Sequence, residues 1–402
     1  MADERPARFL LLLPPLPTPQ TSSNLKAVYG DAICEVLKEA ASSSSKSTKP
    51  AILEITLTCP HLLASLRIPR AHLYYQTEPS LAALYRLVCI LAYEKDINIE
   101  DADGVDVRIL LVAWSPERQA SGWEPSSYGP VIKVQTLARS SRQWDSIFGI
   151  ESEAGIALGR AFLRSRTSAK VEMLLAGTAL SHENSTQLPM QGTPTHSHVA
   201  VGGTFDHLHI GHKLLLTMTV FTVNLSTSGC SVTIGITGHQ YLAGKKSNEH
   251  LLESWDDRQR AVQEFIASLI EFPDASSPPE RPEPEVTERD DPGPNNHTID
   301  YRYFNGLTVR CTEILDAFGP TITDQSLSAL VISAETRSGG DAVNDRRMAP
   351  EKGWRPMRVF EVEVLDAHDD GNGPEKEGFG SKISSTAIRE RLAKKAQQTA
   401  QA

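Results

Sequence analysis

From residue 199 onward, short apolar runs of strand length alternate with stretches of helical apolar spacing, and this alternation restricts the fold more than any other feature of the chain. Strands are expected at 199–201, 231–237, 307–313, 329–333 and 358–365. Helices are expected at 211–223, 255–270 (capped by Ser254), near 340–348 and at 384–395. Buried strands that alternate with helices form a parallel sheet covered on both faces, and such sheets bind ligands outside the carboxyl ends of their strands. Residues 1–181 also mix the two patterns, with strand-like runs at 51–58 and 105–114 and helical spacing at 81–93 and 154–163. A separate α/β N-terminal domain of unreadable role is therefore expected at 1–181, a linker at 182–198, and a second α/β domain at 199–398.

Two other tracts lack the means to form a core. Residues 42–50 are rich in Ser and Lys. Residues 273–297 hold seven prolines and seven acids, with only Ala275 and Val286 apolar, and read as a disordered insertion. The run Phe9 to Leu13 is stopped by Pro14 and Pro15; it is too short for a signal-peptide core or a bilayer span. Five scattered cysteines without a CxxC pair suggest neither a disulfide framework nor a thiolate metal site. A net charge of −10 argues against non-specific binding to nucleic acid or anionic membrane. The expectation is a soluble, cytoplasmic protein.

The densest chemistry lies at 199–213, VAVGGTFDHLHIGHK. A buried strand runs into Gly202 and Gly203, where a ligand can approach the backbone. Thr204 offers a hydroxyl and an N–H, and His209 and His212, three apart, share one face of the next helix's first turn. Free N–H groups and the positive end of the helix dipole make an anion site there, and two imidazoles can stabilise charge developing on a phosphate. A metal would need a third ligand, which the motif lacks. A second cluster, SKISSTAIRER at 381–391, sets Ser384, Ser385 and Thr386 at a helix start with Arg389 one turn on; it reads as a phosphate site or as an ordinary N-cap. A third, at 333–347, offers Glu335, Arg337, Asn344 and Arg347 around Gly339-Gly340, and reads equally as a polar loop opening a surface helix. Lys245 and Lys246 follow the strand at 231–237 and can reach phosphates.

The runs GGTFDHLHIGHK and KISSTAIRERL resemble the nucleotidyltransferase superfamily that shares its HxGH motif with class I aminoacyl-tRNA synthetases. Within it, FGPTITDQSLSALVISAETRSGGDAVNDRR is similar to the eukaryotic type of phosphopantetheine adenylyltransferase, an enzyme of coenzyme A biosynthesis. One departure is Ala334, where the family commonly carries an acid. The resemblance covers about residues 199–392 and implies a Rossmann-like five-stranded parallel sheet. It implies that ATP and 4′-phosphopantetheine give dephospho-coenzyme A and pyrophosphate by in-line attack without a covalent intermediate. By motif position, Thr204 would hold the attacking phosphate, His209 the nucleotide, and His212 the α-phosphate. Lys245 or Lys246 would bridge the substrates. Ser384, Ser385, Thr386 and Arg389 would hold the β- and γ-phosphates. Gly202, Gly203, Phe205, Glu335 and Arg337 complete the expected binding set, with Mg²⁺ arriving with ATP and no protein metal site. No nucleic acid or membrane partner is expected; a homo-oligomer or a complex with other coenzyme A enzymes stays open.

Three alternatives compete. A cytidylyltransferase shares GTFDxxHxGH but typically carries an Arg-Thr pair where this chain reads GFGSKISST. A class I synthetase would need an anticodon-binding domain. A catalytically inactive scaffold would keep the pocket without the reaction. The only Gly-Lys pair, Gly244-Lys245, is followed by Lys246 rather than Ser or Thr, so no P-loop kinase is expected.

Overall fold

The computed structural model describes residues 5–45, 49–66, 68–100, 104–117, 128–178, 195–225, 229–242, 247–276, 283–290, 295–365 and 384–401. The first half runs β1 (Arg8–Leu13), α1 (Ser22–Ser44), β2 (Ala51–Thr58), α2 (Tyr74–Glu94), β3 (Val105–Val112), β4 (Val131–Ile132), α3 (Val134–Arg139), β5 (Ser146–Glu151), α4 (Glu153–Leu163) and β6 (Glu172–Leu175). Its strands form a six-stranded sheet in the order β4-β3-β2-β1-β5-β6, parallel at every pairing. The run Phe9 to Leu13 lies in the central strand β1, five of whose six residues are buried.

The second half runs β7 (His198–Gly203), α5 (Ile210–Thr222), β8 (Ser231–Thr237), α6 (His239–Leu242), α7 (Trp255–Ile270), β9 (Glu285–Asp290), β10 (Asn295–Arg302), β11 (Thr308–Ile314), β12 (Ala329–Ser333), α8 (Arg337–Met348), β13 (Arg358–Val362) and α9 (Ser385–Gln401). Its sheet order is β13-β12-β7-β8-β11-β10-β9. The five strands from β13 to β11 are parallel, as the alternation predicts. The sheet is nevertheless seven-stranded and mixed, because β10 pairs antiparallel with β11 and β9 antiparallel with β10.

That extension corrects the expectation of a disordered insertion at 273–297, of which 277–282 and 291–294 lie outside the described residues. Composition misleads here because an edge hairpin needs little apolar surface when its charges pair across strands. Asp300 on β10 accepts from Arg289 on β9 at 2.9 Å and from Arg310 on β11 at 2.8 Å, and His297 lies 2.5 Å from Asp290. The predicted linker at 182–198 falls largely outside the described residues, but its end belongs to the fold: His196 is buried and its Nδ1 lies 3.1 Å from Ser328 Oγ.

The two sheets are distinct, but the domains are less separate than expected. One contiguous hydrophobic core runs from Phe9, Leu53 and Tyr74 through Leu214, Phe265 and Phe360. Backbone bonds cross between the halves, from Gly129 N–H to Ile270 O at 2.9 Å, from Ser141 N–H to Pro273 O at 2.7 Å, and from Ala275 N–H to Arg139 O at 2.8 Å. The Tyr74 hydroxyl donates to Glu361 O at 3.1 Å while its ring meets Phe360 at 4.8 Å. A smaller core of Ala200, Leu330, Ile332, Val343 and Met357 lies under α8. Among the described residues no helix is long and apolar enough to cross a membrane.

This close joint is tested by glycine. A methyl group at Gly129 would sit 1.9 Å from the backbone oxygen of Leu269, so the halves would have to move apart. Gly129→Ala is expected to destabilise the chain by about 1–3 kcal/mol. Gly159→Ala, in α4 where an added Cβ meets nothing within 4 Å, is expected to stabilise it by about 0.5–1 kcal/mol. Urea unfolding midpoints of the two variants decide both.

Candidate active site at the sheet reversal

The chain passes from β7 to β8 and β11 on one side, then returns to lay β12 and β13 on the other. The reversal lies between β7 and β12, which places the ligand crevice of such a sheet at the carboxyl end of β7. Gly202 and Gly203 end that strand, and the space where a Gly202 side chain would stand is open apart from Gly235 O at 4.0 Å.

The turn after β7 is strained and pinned. Phe205 and His207 both have positive φ, 52° and 47°, a conformation that costs a non-glycine residue about 1–3 kcal/mol. Three sets of contacts hold it. Phe205 is fully buried, its ring against Gly203 and 5.3 Å from that of His212. The His207 N–H donates to Glu253 Oε2 at 2.7 Å. Between them Asp206, wholly buried, accepts the Glu253 N–H at 3.0 Å on one oxygen and an Arg389 N–H on the other.

His209 occupies the N-cap position of α5, where its side chain makes no capping bond. Its ring stacks on that of His212, with centroids 3.8 Å apart and planes inclined by 22°. Gly211 makes room, since a Cβ there would lie 3.2 Å from His209 Nδ1. The Nδ1 atoms of both histidines are buried without a hydrogen-bond partner. Such buried orphans are rare and call for a polar ligand or water. Burial pushes the His212 imidazole down to about 3. Burial, then the neighbouring His212, Lys213 and His207, hold His209 well below the usual histidine range. The stack therefore consists of neutral rings; two unit charges at about 4 Å would repel by about 4 kcal/mol at an effective dielectric of about 20.

The second predicted cluster meets the first. Ser385, opening α9, donates to Asp206 O at 2.7 Å, and Ser384 Oγ accepts the Ala387 N–H at 3.3 Å as a cap. Arg389 departs from the expected phosphate-facing role. It is buried and committed to the Asp206 carboxylate, to Ser247 O at 3.0 Å and to Thr386 Oγ1 at 3.2 Å. It anchors α9 to the strained turn. Phe205, expected among the binding residues, is likewise a packing residue beneath His212.

The third cluster is structural where it is buried. Arg347 donates to Thr321 O at 2.6 Å and Leu327 O at 2.9 Å, and Asn344 exchanges two bonds with Met357. Glu335 and Arg337 are exposed at the carboxyl end of β12, and Arg337 is drawn outward to Glu361 on β13, with contacts of 2.5 and 2.7 Å. Lys245 and Lys246 lie outside the described residues. Among the described residues no group of three or more His, Cys, Asp or Glu side chains is arranged to hold a metal.

Sequence reading missed Asp206, Glu253 and Arg258. Arg258 is fully buried and ties the ends of two strands together, donating to Thr204 O at 2.7 Å and Thr237 O at 2.9 Å. The signal was present: an arginine on the apolar face of α7, three positions after Trp255 and four before Val262.

Residues 1–182 match a family described as a domain of unknown function, DUF8446. An uncharacterised protein of Schizosaccharomyces pombe is 33% identical over 196 residues, 48% of each chain. A phosphopantetheine adenylyltransferase of Saccharomyces cerevisiae is 34% identical over 200 residues, 50% of each. The chain thus spans about half the length of these two relatives. One of the same name from Pyrococcus abyssi is 30% identical over 191 residues, which cover 48% of this chain and 87% of that protein. A solved structure from Archaeoglobus fulgidus, of a protein with unknown function, is 21% identical with a TM-score of 0.28, covering 44% of this chain and 95% of its own.

Two outcomes follow from the site geometry. Removing the Arg389 charge leaves Asp206 buried and unpaired, so Arg389→Met is expected to cost about 3–5 kcal/mol in chemical denaturation. The depressed His212 makes the folded state bind fewer protons than the unfolded chain. Stability is therefore complete above about pH 6.5 and is lost as pH falls toward about 3. A His212→Gln variant should lose less stability than the parent between pH 7 and pH 5, measured by urea unfolding at each pH.

Proposed function

Over about half of its length the chain belongs to the phosphopantetheine adenylyltransferase family, and on that premise we propose that it transfers the adenylyl group of ATP to 4′-phosphopantetheine, releasing pyrophosphate. The observation that carries the reading is the neutral His209–His212 stack, its buried nitrogens unpartnered, at the first turn of α5 beside the sheet reversal. A phosphate placed there meets imidazole N–H groups, free helix N–H groups and the positive end of the dipole.

In this reading a phosphate oxygen of the acceptor attacks the α-phosphorus of ATP. The new P–O bond forms as the bond from the α-phosphorus to the oxygen bridging to the β-phosphate breaks, and pyrophosphate leaves. No protein nucleophile is needed, so positioning and charge stabilisation supply the rate. Thr204, its carbonyl fixed by Arg258, positions the attacking phosphate. His209 and His212 donate to the α-phosphate. Ser384 and Thr386 sit at the start of α9, where they can meet the leaving phosphates, with Ser385 and Arg389 holding that helix in place. Mg²⁺ would come bound to the ATP phosphates and shield their charge. Lys245 or Lys246 is assigned to bridge the two substrates, and a cytosolic setting fits those substrates.

The test is to incubate the pure protein with ATP or CTP and a panel of phosphorylated acceptors, following pyrophosphate. Release is expected with ATP and 4′-phosphopantetheine; release only with CTP and an alcohol phosphate would replace this reading by the cytidylyltransferase one, and release with no pair would leave a scaffold. In the active pair, His212→Ala is expected to lower turnover by on the order of 10²–10³ with the fold retained, because its donor acts mainly in the transition state. Turnover at the parent level would remove His212 from the mechanism.

A further inference from the structure

Helix α5 carries the histidine pair, yet it has little of its own to fix its ends. Its first turn has no side-chain cap and no acid, and its last turn has no basic residue. Its threonines Thr217, Thr219 and Thr222 bond back to carbonyls four residues earlier, at 2.7 to 2.8 Å. The only charge in its first turn is Lys213, a cation at the end of the helix dipole that disfavours one.

Both ends are instead gripped by the first half of the chain. The Lys213 side chain is buried and leaves the helix for β3, where it donates to Asp106 Oδ1 at 2.6 Å and to Val107 O at 3.0 Å. Its own backbone N–H reaches His209 O at 3.0 Å, so the tethered residue closes the turn that bears both histidines. Burial alone would raise the Asp106 carboxyl, but Arg108 and Lys213 pull it below the usual carboxylate range, which keeps the grip ionised. At the other end Arg70, in the turn Arg70–Leu73, donates to Phe221 O at 3.1 Å and Val223 O at 2.6 Å. Such carbonyls have no partner inside a helix, and a cation there is favoured by the dipole. Arg70 and Asp106 both lie within the residues matched as a domain of unknown function.

We propose that the first domain serves as a clamp on α5, with Asp106 holding the first turn through Lys213 and Arg70 holding the last, so that the His209–His212 stack keeps its geometry. Asp106, Lys213 and Arg70 are positioning residues: they act through the helix and not on substrate. The kinetic consequence rests on the adenylyl transfer proposed above; the geometric consequence does not.

The test removes the first grip and leaves Arg108, the other partner of Asp106 at 2.5 and 2.9 Å, an amide oxygen to donate to. In the full chain, Asp106→Asn combined with Lys213→Met neutralises both partners, a change that buried pairs often tolerate. The histidine ring signals of His209 and His212 are recorded by NMR without substrate, and kcat and KM are measured with ATP and 4′-phosphopantetheine. The expected result is a folded variant whose two histidine signals shift or broaden, with kcat lowered by about tenfold to a hundredfold, the cost of a displacement of about 1 Å. The KM for ATP is expected to change by less than about threefold, because binding common to ground and transition states is untouched. A folded double variant with parent-like histidine signals and parent-like kcat overturns the clamp. If the double variant does not fold, Arg70→Met carries the same readouts and the same overturning result. If the parent has no adenylyl transfer, the histidine signals alone decide, so failure of the clamp and failure of the proposed reaction are told apart.

Discussion

Asp206 is a carboxylate with no exposed surface, in a turn where its two neighbours adopt a conformation that side chains disfavour. A buried charge of this kind persists only when other groups satisfy it fully. The groups that do so come from two distant places: the Glu253 N–H just before α7, and Arg389 on α9. The carbonyl of the same residue takes the Ser385 hydroxyl. One side chain and its backbone thus bring together the strand end, the histidine-bearing helix and the hydroxyl-bearing helix. The strain at Phe205 and His207 is offset by this web, and the functional side chains inherit their positions from it.

A second constraint acts from the opposite side. From Lys213 to Thr222 every residue of α5 is buried, which no helix at the rim of a lone sheet could achieve. The first domain supplies the missing cover with its α2 and with the edge of its sheet, and it adds charges where the apolar surface stops. Arg70 is buried deeply enough to be pushed down to about 10 and still donates to the helix end. A neutral, desolvated imidazole pair is a natural consequence of such enclosure. Burial lowers the affinity of both rings for protons, and the cost of a second charge keeps them neutral together.

Much of this was legible from residues alone where local pattern and tertiary role coincide. The bounds of β8, α7 and β12 are as the apolar spacing predicts, and the parallel core follows from strand–helix alternation. Other features depend on contacts that pattern does not encode. The run Phe9 to Leu13 has no periodicity, so its place in the centre of a sheet cannot be told from any other short apolar run. Helix α2 begins at Tyr74, ahead of the expected Leu81, and continues through Pro79 because the helix packs against the second domain. Strands β9 and β10 are stabilised by charge pairs across strands that a compositional reading takes as a sign of solvation. At the site, the meeting of 199–213 with 384–389 was readable as two phosphate-type motifs. The burial of Arg389 was not, because a basic residue one turn into a helix looks the same whether it faces solvent or a hidden carboxylate.

The proposed adenylyl transfer exchanges one phosphoanhydride bond for another, so it should run measurably in reverse. The most direct measurement is to give the pure full chain dephospho-coenzyme A, pyrophosphate and Mg²⁺ and to follow nucleotide triphosphate. The account predicts ATP, formed only when both substrates are present. No ATP from dephospho-coenzyme A, or triphosphate formed instead from a cytidine diphosphate alcohol, would contradict it.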